Sequence, residues 1–364
     1  MLYSTREEML KLNRYKNNPI LKSNPKNRWE RSAVFNCATW SDGKTVHMLY
    51  RAVGEDSKCP PRLGYVISTY GKFNSKLGYA TSEDGFNFSR LTDLPVFSPE
   101  KDYENEACED PRLTFIDGKL YMTYAVPFEP LRPFFQKWGE PFNTALALVR
   151  DRSFKSFERL GIINHEGSAN RDIVLFSEKI NGRYAMLHRP SRWTKEWFRE
   201  VKGEEEKTRL PCPANKLPEK PSIWIAYSHD LKEWNEYKVV MEPKEKWEDW
   251  KIGAGPPPVR TSKGWLLIYH GVDNKEVPRT YRAGVALLDL KDPSRVIARL
   301  PYPILEPQEE YEKEGDTPDV VFPESTIVKD GTLFIYYGGA DKVCCVATVK
   351  INDLLKELRK FKVA

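Results

Sequence analysis

Gly118-Lys119-Leu120-Tyr121-Met122-Thr123-Tyr124 reads as a glycine turn feeding a short apolar strand that ends on an aromatic residue. The pattern returns at Lys44-Thr45-Val46-His47-Met48-Leu49-Tyr50-Arg51, at Gly182-Arg183-Tyr184-Ala185-Met186-Leu187-His188-Arg189, at Gly264-Trp265-Leu266-Leu267-Ile268-Tyr269-His270 and at Gly331-Thr332-Leu333-Phe334-Ile335-Tyr336-Tyr337. In the Lys44 copy the glycine, Gly43, stands one place ahead. A second pattern follows each copy: a strand rich in small residues, then a polar turn and an apolar anchor. Leu77-Gly78-Tyr79-Ala80-Thr81-Ser82 and Ile223-Trp224-Ile225-Ala226-Tyr227-Ser228 are two examples, and Thr144–Asp151, Tyr281–Asp289 and Lys342–Val349 complete the set. Five pairs in one order mean five similar units, each filling roughly 60 to 80 residues with about four short strands. Sheets repeated radially around an axis bury both faces of such units, so the pattern predicts an all-β five-bladed β-propeller. A β-sandwich with chance hairpin similarity is the competing reading.

From this centre outward, a single propeller domain is expected over 1–364, with short helices only at its ends. Thr5 to Glu8 reads as a capping box opening a helix over about 5–14, and Asn352 as the cap of a helix over about 352–362. Two stretches rich in Pro and Lys/Arg break the spacing, about 55–76 and 190–221, and read as loops connecting blades. The 364 residues carry 57 basic and 52 acidic side chains, a net +5 too diffuse to point to nucleic acid or an anionic membrane. The first residues lack the apolar run of a secretory signal, which gives a cytoplasmic expectation. Six cysteines, including the vicinal Cys344-Cys345, have neither the density of a disulfide framework nor the spacing of a zinc site, so reduced thiols and no metal are expected.

In a propeller, equivalent positions of different blades meet around the axis. The repeated strands bring Arg51, Arg189 and His270 there, and the segments before them bring Asn36, Asp110, Arg171 with Asp172, Lys251 and Asp319. Glu106-Ala107-Cys108-Glu109-Asp110-Pro111-Arg112 is the densest polar cluster and leads into an apolar strand. A partly desolvated Asp110 facing the axis suits a general acid, its pKa raised by burial; an Asp110–Arg112 ion pair at a turn is the plainer alternative.

Glu109-Asp110-Pro111-Arg112, the run from Asn170-Arg171-Asp172-Ile173 through His188-Arg189-Pro190, and Lys251-Ile252-Gly253-Ala254-Gly255-Pro256-Pro257-Pro258 with Tyr269-His270-Gly271 resemble glycoside hydrolase family 130, the β-mannoside phosphorylases. The resemblance runs from Asn18-Pro19-Ile20-Leu21 to about Val349. It implies a five-bladed propeller, with Asp110 as the single catalytic acid that protonates the leaving oxygen by way of a mannosyl hydroxyl. It further implies that Arg171, Arg189, Lys251, His270 and Tyr281 hold phosphate and that Asn36, Arg51 and Asp319 bind the mannosyl unit. The partners would be a β-mannosyl oligosaccharide and inorganic phosphate as co-substrate, with no other cofactor, and a homo-oligomer is plausible.

The residue types agree. Inverting hydrolysis needs a second carboxylate to activate water, whereas phosphate is already a nucleophile and needs cations to hold it. An inverting hydrolase using Asp319, Glu324 or Asp172 as base is one rival, and a non-catalytic sugar-binding propeller is another. Trp193, Trp197, Trp247 and Trp250 are candidates for stacking on acceptor sugars, or for blade packing, and His188 for either a sugar contact or a packed histidine.

Overall fold

Alternation of apolar and small residues along each repeat gives strands that bury both faces, and the turns between them close antiparallel sheets. The computed structural model describes residues 10–54, 75–105, 107–127, 142–200, 210, 212–275 and 278–363. Five sheets form five blades. Blade 5 takes its fourth strand, β1 (Asn13–Arg14), from the start of the chain. Blade 1 is β2 (Ala33–Ser41), β3 (Val46–Val53), β4 (Ser75–Ser82) and β5 (Ser89–Arg90). Blade 2 is β6 (Glu109–Ile116), β7 (Lys119–Pro127), β8 (Phe142–Val149) and β9 (Phe157–Ile162). Blade 3 is β10 (Asn170–Leu175), β11 (Tyr184–Pro190), β12 (Ile223–Ser228) and β13 (Asn235–Met241). In blade 4 the inner strand is broken into β14 (Lys251–Ala254) and β15 (Val259–Thr261), both paired with β16 (Gly264–Val272), followed by β17 (Tyr281–Leu288) and β18 (Val296–Arg299). Blade 5 continues with β19 (Val321–Lys329), β20 (Thr332–Gly339) and β21 (Val343–Lys350), to which β1 pairs. The ring is thus closed by the two ends of the chain.

Each pair of neighbouring blades encloses its own hydrophobic cluster. Val34, Met48 and Tyr50 meet Phe334, Tyr336 and Val346 between blades 1 and 5. Leu266, Ile268 and Val285 meet Leu333 and Ile335 between blades 4 and 5. Three more clusters fill the remaining interfaces, so the core is a ring of five packets instead of one centre.

Several expectations are corrected. Residues 1–9 lie outside the described residues, and Asn13–Arg14, placed by the sequence in a helix over 5–14, is a strand bound to Thr348 and Ala347. The local capping signal does not account for a partner at the far end of the chain. The last helix runs Ile351–Leu358, with Lys350 at its cap position and Asn352 inside it. Short helices also occur at Lys195–Glu200 and Glu310–Lys313, away from the ends. The stretches 55–76 and 190–221 do not connect blades: β3 pairs with β4 and β11 with β12, so each joins the second and third strands of one blade. Residues 55–74 of the first are outside the described residues.

A buried clamp recurs in four blades. A glutamate from the connection entering the blade accepts a tyrosine hydroxyl from the second strand and a guanidinium from the fourth. The sets are Glu30, Tyr50 and Arg90 (3.1 and 2.9 Å), and Glu104, Tyr124 and Arg159 (both 2.8 Å). Glu312, Tyr337 and Arg14 form another (2.7 and 2.8 Å), and in Glu248, Tyr269 and Arg299 the tyrosine bond is 2.9 Å. All four glutamates are fully buried, and each clamp ties an otherwise weakly held outer strand to the middle of its blade. Glu248→Ala would leave the Tyr269 hydroxyl without its acceptor and Arg299 with only the Glu242 carbonyl and that hydroxyl, and is expected to cost about 3–5 kcal/mol. A urea titration reads this directly; a loss below about 1 kcal/mol would show that the clamp contributes little.

Candidate active site

The inner strand of four blades is interrupted at the same level. Register shifts fall between Phe35 and Cys37, Glu109 and Arg112, Arg171 and Val174, and Pro323 and Ser325. Each bulge turns one polar residue out of the ladder: Asn36, Asp110, Asp172 and Glu324. Asn36, Asp110 and Asp172 hold left-handed backbones, with φ of 45°, 47° and 61°. Pro111 sits within a bulge, where its missing N–H costs no ladder bond. Blade 4 has Gly253 near this level, and a Cβ there would lie 2.5 Å from the His270 ring and 2.7 Å from the Asp172 carboxylate. The glycine makes room for both.

Two linked networks result. In the first, Asp110 Oδ1 accepts the Asn36 amide at 2.9 Å and Arg51 Nη1 at 2.8 Å, while Oδ2 accepts Arg171 Nη2 at 3.2 Å. Glu109 lies behind it, 2.7 Å from Arg51 and 2.9 Å from Arg171, so it braces the two guanidiniums that grip Asp110. In the second, Asp172 Oδ2 takes Arg189 through Nε at 2.8 Å and Nη2 at 2.7 Å, and its Oδ1 takes Arg112 at 3.2 Å. His270 Nε2 lies 3.7 Å from Asp172, beyond a hydrogen bond. Its ring stacks toward Tyr281 at 6.0 Å, and Lys251 lies 5.2 Å from the same tyrosine ring. Asp319 joins through its main chain, its carbonyl accepting the Tyr281 N–H at 3.0 Å.

Asn36, Arg51, Asp110 and Arg171 are therefore one group, Arg189 and His270 belong to the adjoining one, and Lys251 and Tyr281 flank the latter. A family model described as beta-1,4-mannooligosaccharide phosphorylase, for glycoside hydrolase family 130, matches residues 8–360. The chain belongs to family 130. It is 41% identical to a 1,2-beta-oligomannan phosphorylase of Thermoanaerobacter sp. (strain X514), covering 95% of this chain and 99% of the relative. It is 39% identical to a beta-1,2-mannobiose phosphorylase of the same organism, over 97% and 100%. The solved structure of beta-1,2-mannobiose phosphorylase from Listeria innocua in complex with beta-1,2-mannobiose matches with a TM-score of 0.73 at 27% identity, over 96% of this chain and 99% of that one.

In this family 130 protein the expected upward shift of Asp110 is not found. Burial acts in that direction, but Arg51, Arg171, the Asn36 amide and Arg112 outweigh it and hold the carboxyl at about 2. Asp110 is thus an anion in the ligand-free protein. Nor do Asp110 and Arg112 form the simple ion pair: Arg112 donates to the Asp110 main-chain carbonyl at 3.1 Å. Glu324 is the carboxyl that burial pushes well above its ordinary value, and it is fully enclosed. Trp193, Trp197 and His188 are buried, so none presents a face to sugar, and the half-buried Trp247 donates its indole N–H to Pro301. The roles of Glu109 and Arg112 were not read from the sequence, although both lie in its densest polar cluster.

Burial drives both His188 and His270 down to about 3; around His270 the cations Arg189, Lys251 and Arg112 add to this against Asp172. An unfolded histidine titrates near 6.5, so below that pH the unfolded chain binds protons that the folded chain refuses. Stability is accordingly expected to fall as pH drops from about 7 to about 4.5, and His270→Gln should flatten part of that slope. A urea midpoint unchanged over this interval in the parent protein would contradict the neutral histidines.

Proposed function

We propose that this protein is an inverting β-mannoside phosphorylase: phosphate attacks the anomeric carbon of a non-reducing-end β-mannosyl unit and α-mannose 1-phosphate is released. The observation that carries this reading is the balance of charge. Asp110 and Glu109 face Arg51 and Arg171, Asp172 has both oxygens engaged by Arg112 and Arg189, and Lys251 adds a further cation near His270. Asp172 and the enclosed Glu324 are therefore poorly disposed to activate water, which leaves Asp319 as the base that the hydrolase alternative would need. Cations suit an anionic nucleophile.

Arg171, Arg189, Lys251, His270 and Tyr281 are the proposed phosphate ligands. Arg189 offers a planar fork and Lys251 a point charge. Arg189 already grips one oxygen of the Asp172 carboxylate, through Nε and Nη2. Asn36, Arg51 and Asp319 are the proposed mannosyl contacts. Arriving phosphate draws positive charge from Asp110 and adds a repelling anion, both of which favour its protonated form. Asp110 then delivers the proton to the leaving oxygen through a mannosyl hydroxyl, and the proton released by the attacking hydrogen phosphate restores the acid. The scheme uses no metal or organic cofactor.

For the linkage we favour β-1,2. The family model is described by a β-1,4 activity, but two relatives that align over nearly their whole length carry β-1,2 names. Incubation with β-1,2-mannobiose is expected to yield α-mannose 1-phosphate by phosphorus NMR only when phosphate is present. Sugar release indifferent to phosphate would select hydrolysis instead. Asp110→Asn should lower kcat by about 10²- to 10⁴-fold while the fold persists; undiminished turnover would remove Asp110 from its role.

A further inference from the structure

Blade 3 is the exception to the clamp. At the positions held elsewhere by glutamate, tyrosine and arginine, it carries His165 on the entering connection, His188 on β11 and Tyr237 on β13. These rings touch one another, with His188 5.6 Å from Tyr237 and His165 5.9 Å from Tyr237. Trp193 closes the group, 5.7 Å from His188, and Trp224 lies on its far side at 6.5 Å. Blade 3 also carries Arg171 and Arg189, paired across β10 and β11.

The polar contact inside this cluster fixes a tautomer. Asn170, fully buried, accepts the Arg189 main-chain N–H at 3.1 Å through Oδ1. An N–H only donates, so that amide atom must be the oxygen, and the NH₂ faces His188 Nδ1 at 2.8 Å. Because the NH₂ also only donates, Nδ1 must be the bare nitrogen. The proton of the neutral ring then sits on Nε2, which has no hydrogen-bond partner among the described residues and is buried against the aromatic rings.

We propose that His188 is a positioning residue of the phosphate site: as the Nε2-protonated neutral tautomer it orients Asn170, and Asn170 holds the main chain of Arg189. The proposal rests on the assignment of Arg189 to phosphate. A charged ring would lose the Asn170 bond and place a second cation beside Arg189. Burial, which pushes this ring down to about 3, keeps that form away at working pH. The blade that supplies the two proposed phosphate arginines thus carries, in place of a carboxylate–guanidinium clamp, a histidine linked through Asn170 to an arginine.

Steady-state kinetics with phosphate and β-mannoside varied separately test this. His188→Phe removes the acceptor and keeps bulk; it is expected to raise KM for phosphate about tenfold or more, with KM for the mannoside within about twofold. His188→Asn places an amide oxygen near the Nδ1 position and should recover most of the loss. Equal effects on both substrates, no effect, or an Asn variant as impaired as Phe would overturn the proposal. Arg189→Ala in the same assay separates the two claims: if it leaves KM for phosphate unmoved, the phosphate assignment fails, and if it alone moves KM, the role of His188 fails. Should the Phe variant not fold, nitrogen–proton NMR of the parent protein decides. A neutral, Nε2-protonated His188 between pH 5.5 and 8 is expected because burial disfavours the charged ring, and an Nδ1-protonated or cationic ring contradicts the proposal.

Discussion

Arg112 is a single guanidinium, 3% exposed, that touches four of the five blades. It donates to the Asp110 carbonyl in its own blade, to the Asp172 carboxylate in blade 3 at 3.2 Å and to the Gly255 carbonyl in blade 4 at 2.8 Å, and it lies 3.6 Å from Glu324 in blade 5. A buried cation is tolerable only when its donors are used, and these are used on groups that the bulges have turned out of their ladders. The left-handed backbones at Asn36, Asp110 and Asp172 each store strain on the order of 1–3 kcal/mol. The network of charge-assisted bonds around Arg112, Arg51 and Arg189 offsets that strain and holds the two carboxylates at fixed places. The geometry of the site therefore depends on this hub more than on any one strand.

Outside the hub, stiffness and variation are separated. The clamps and the five apolar packets fix each blade as a unit. The stretches joining second to third strands leave the end of the strand that carries Arg51 or Arg189, on the face where the inner strands begin. Trp193 and Leu217 of the blade 3 connection pack with Trp224, so this insertion is anchored on its own core before its chain returns to β12. Variation in that blade 3 segment would leave the hub undisturbed, a division common to enzymes built on rigid scaffolds.

The fold was legible because its signal is local and repeated: a glycine turn, an apolar strand and an aromatic tip. The tyrosines of the clamps were visible as four of those tips, but their partners were not. Arg14 reaches Glu312 across 298 residues, and no periodicity announces such a pair. The N-terminal stretch was misread for the same reason, since Asn13 is claimed by β21 at Thr348, 335 residues away. Asp110, Arg171 and Arg189 were singled out by their motifs and by equivalence around an axis, and the fold brings them into the two linked networks. The sign of the Asp110 shift was not, because it depends on how many guanidiniums converge after folding, and burial alone points the other way.

The most direct test is the structure of the protein crystallised with phosphate and a β-mannoside that the Asp110→Asn variant holds uncleaved. Phosphate is expected within hydrogen-bonding distance of Arg171, Arg189, Lys251, His270 and Tyr281, on the face of the mannosyl ring opposite the leaving oxygen. An anion bound elsewhere, or a mannosyl unit seated away from residue 110, would contradict the account.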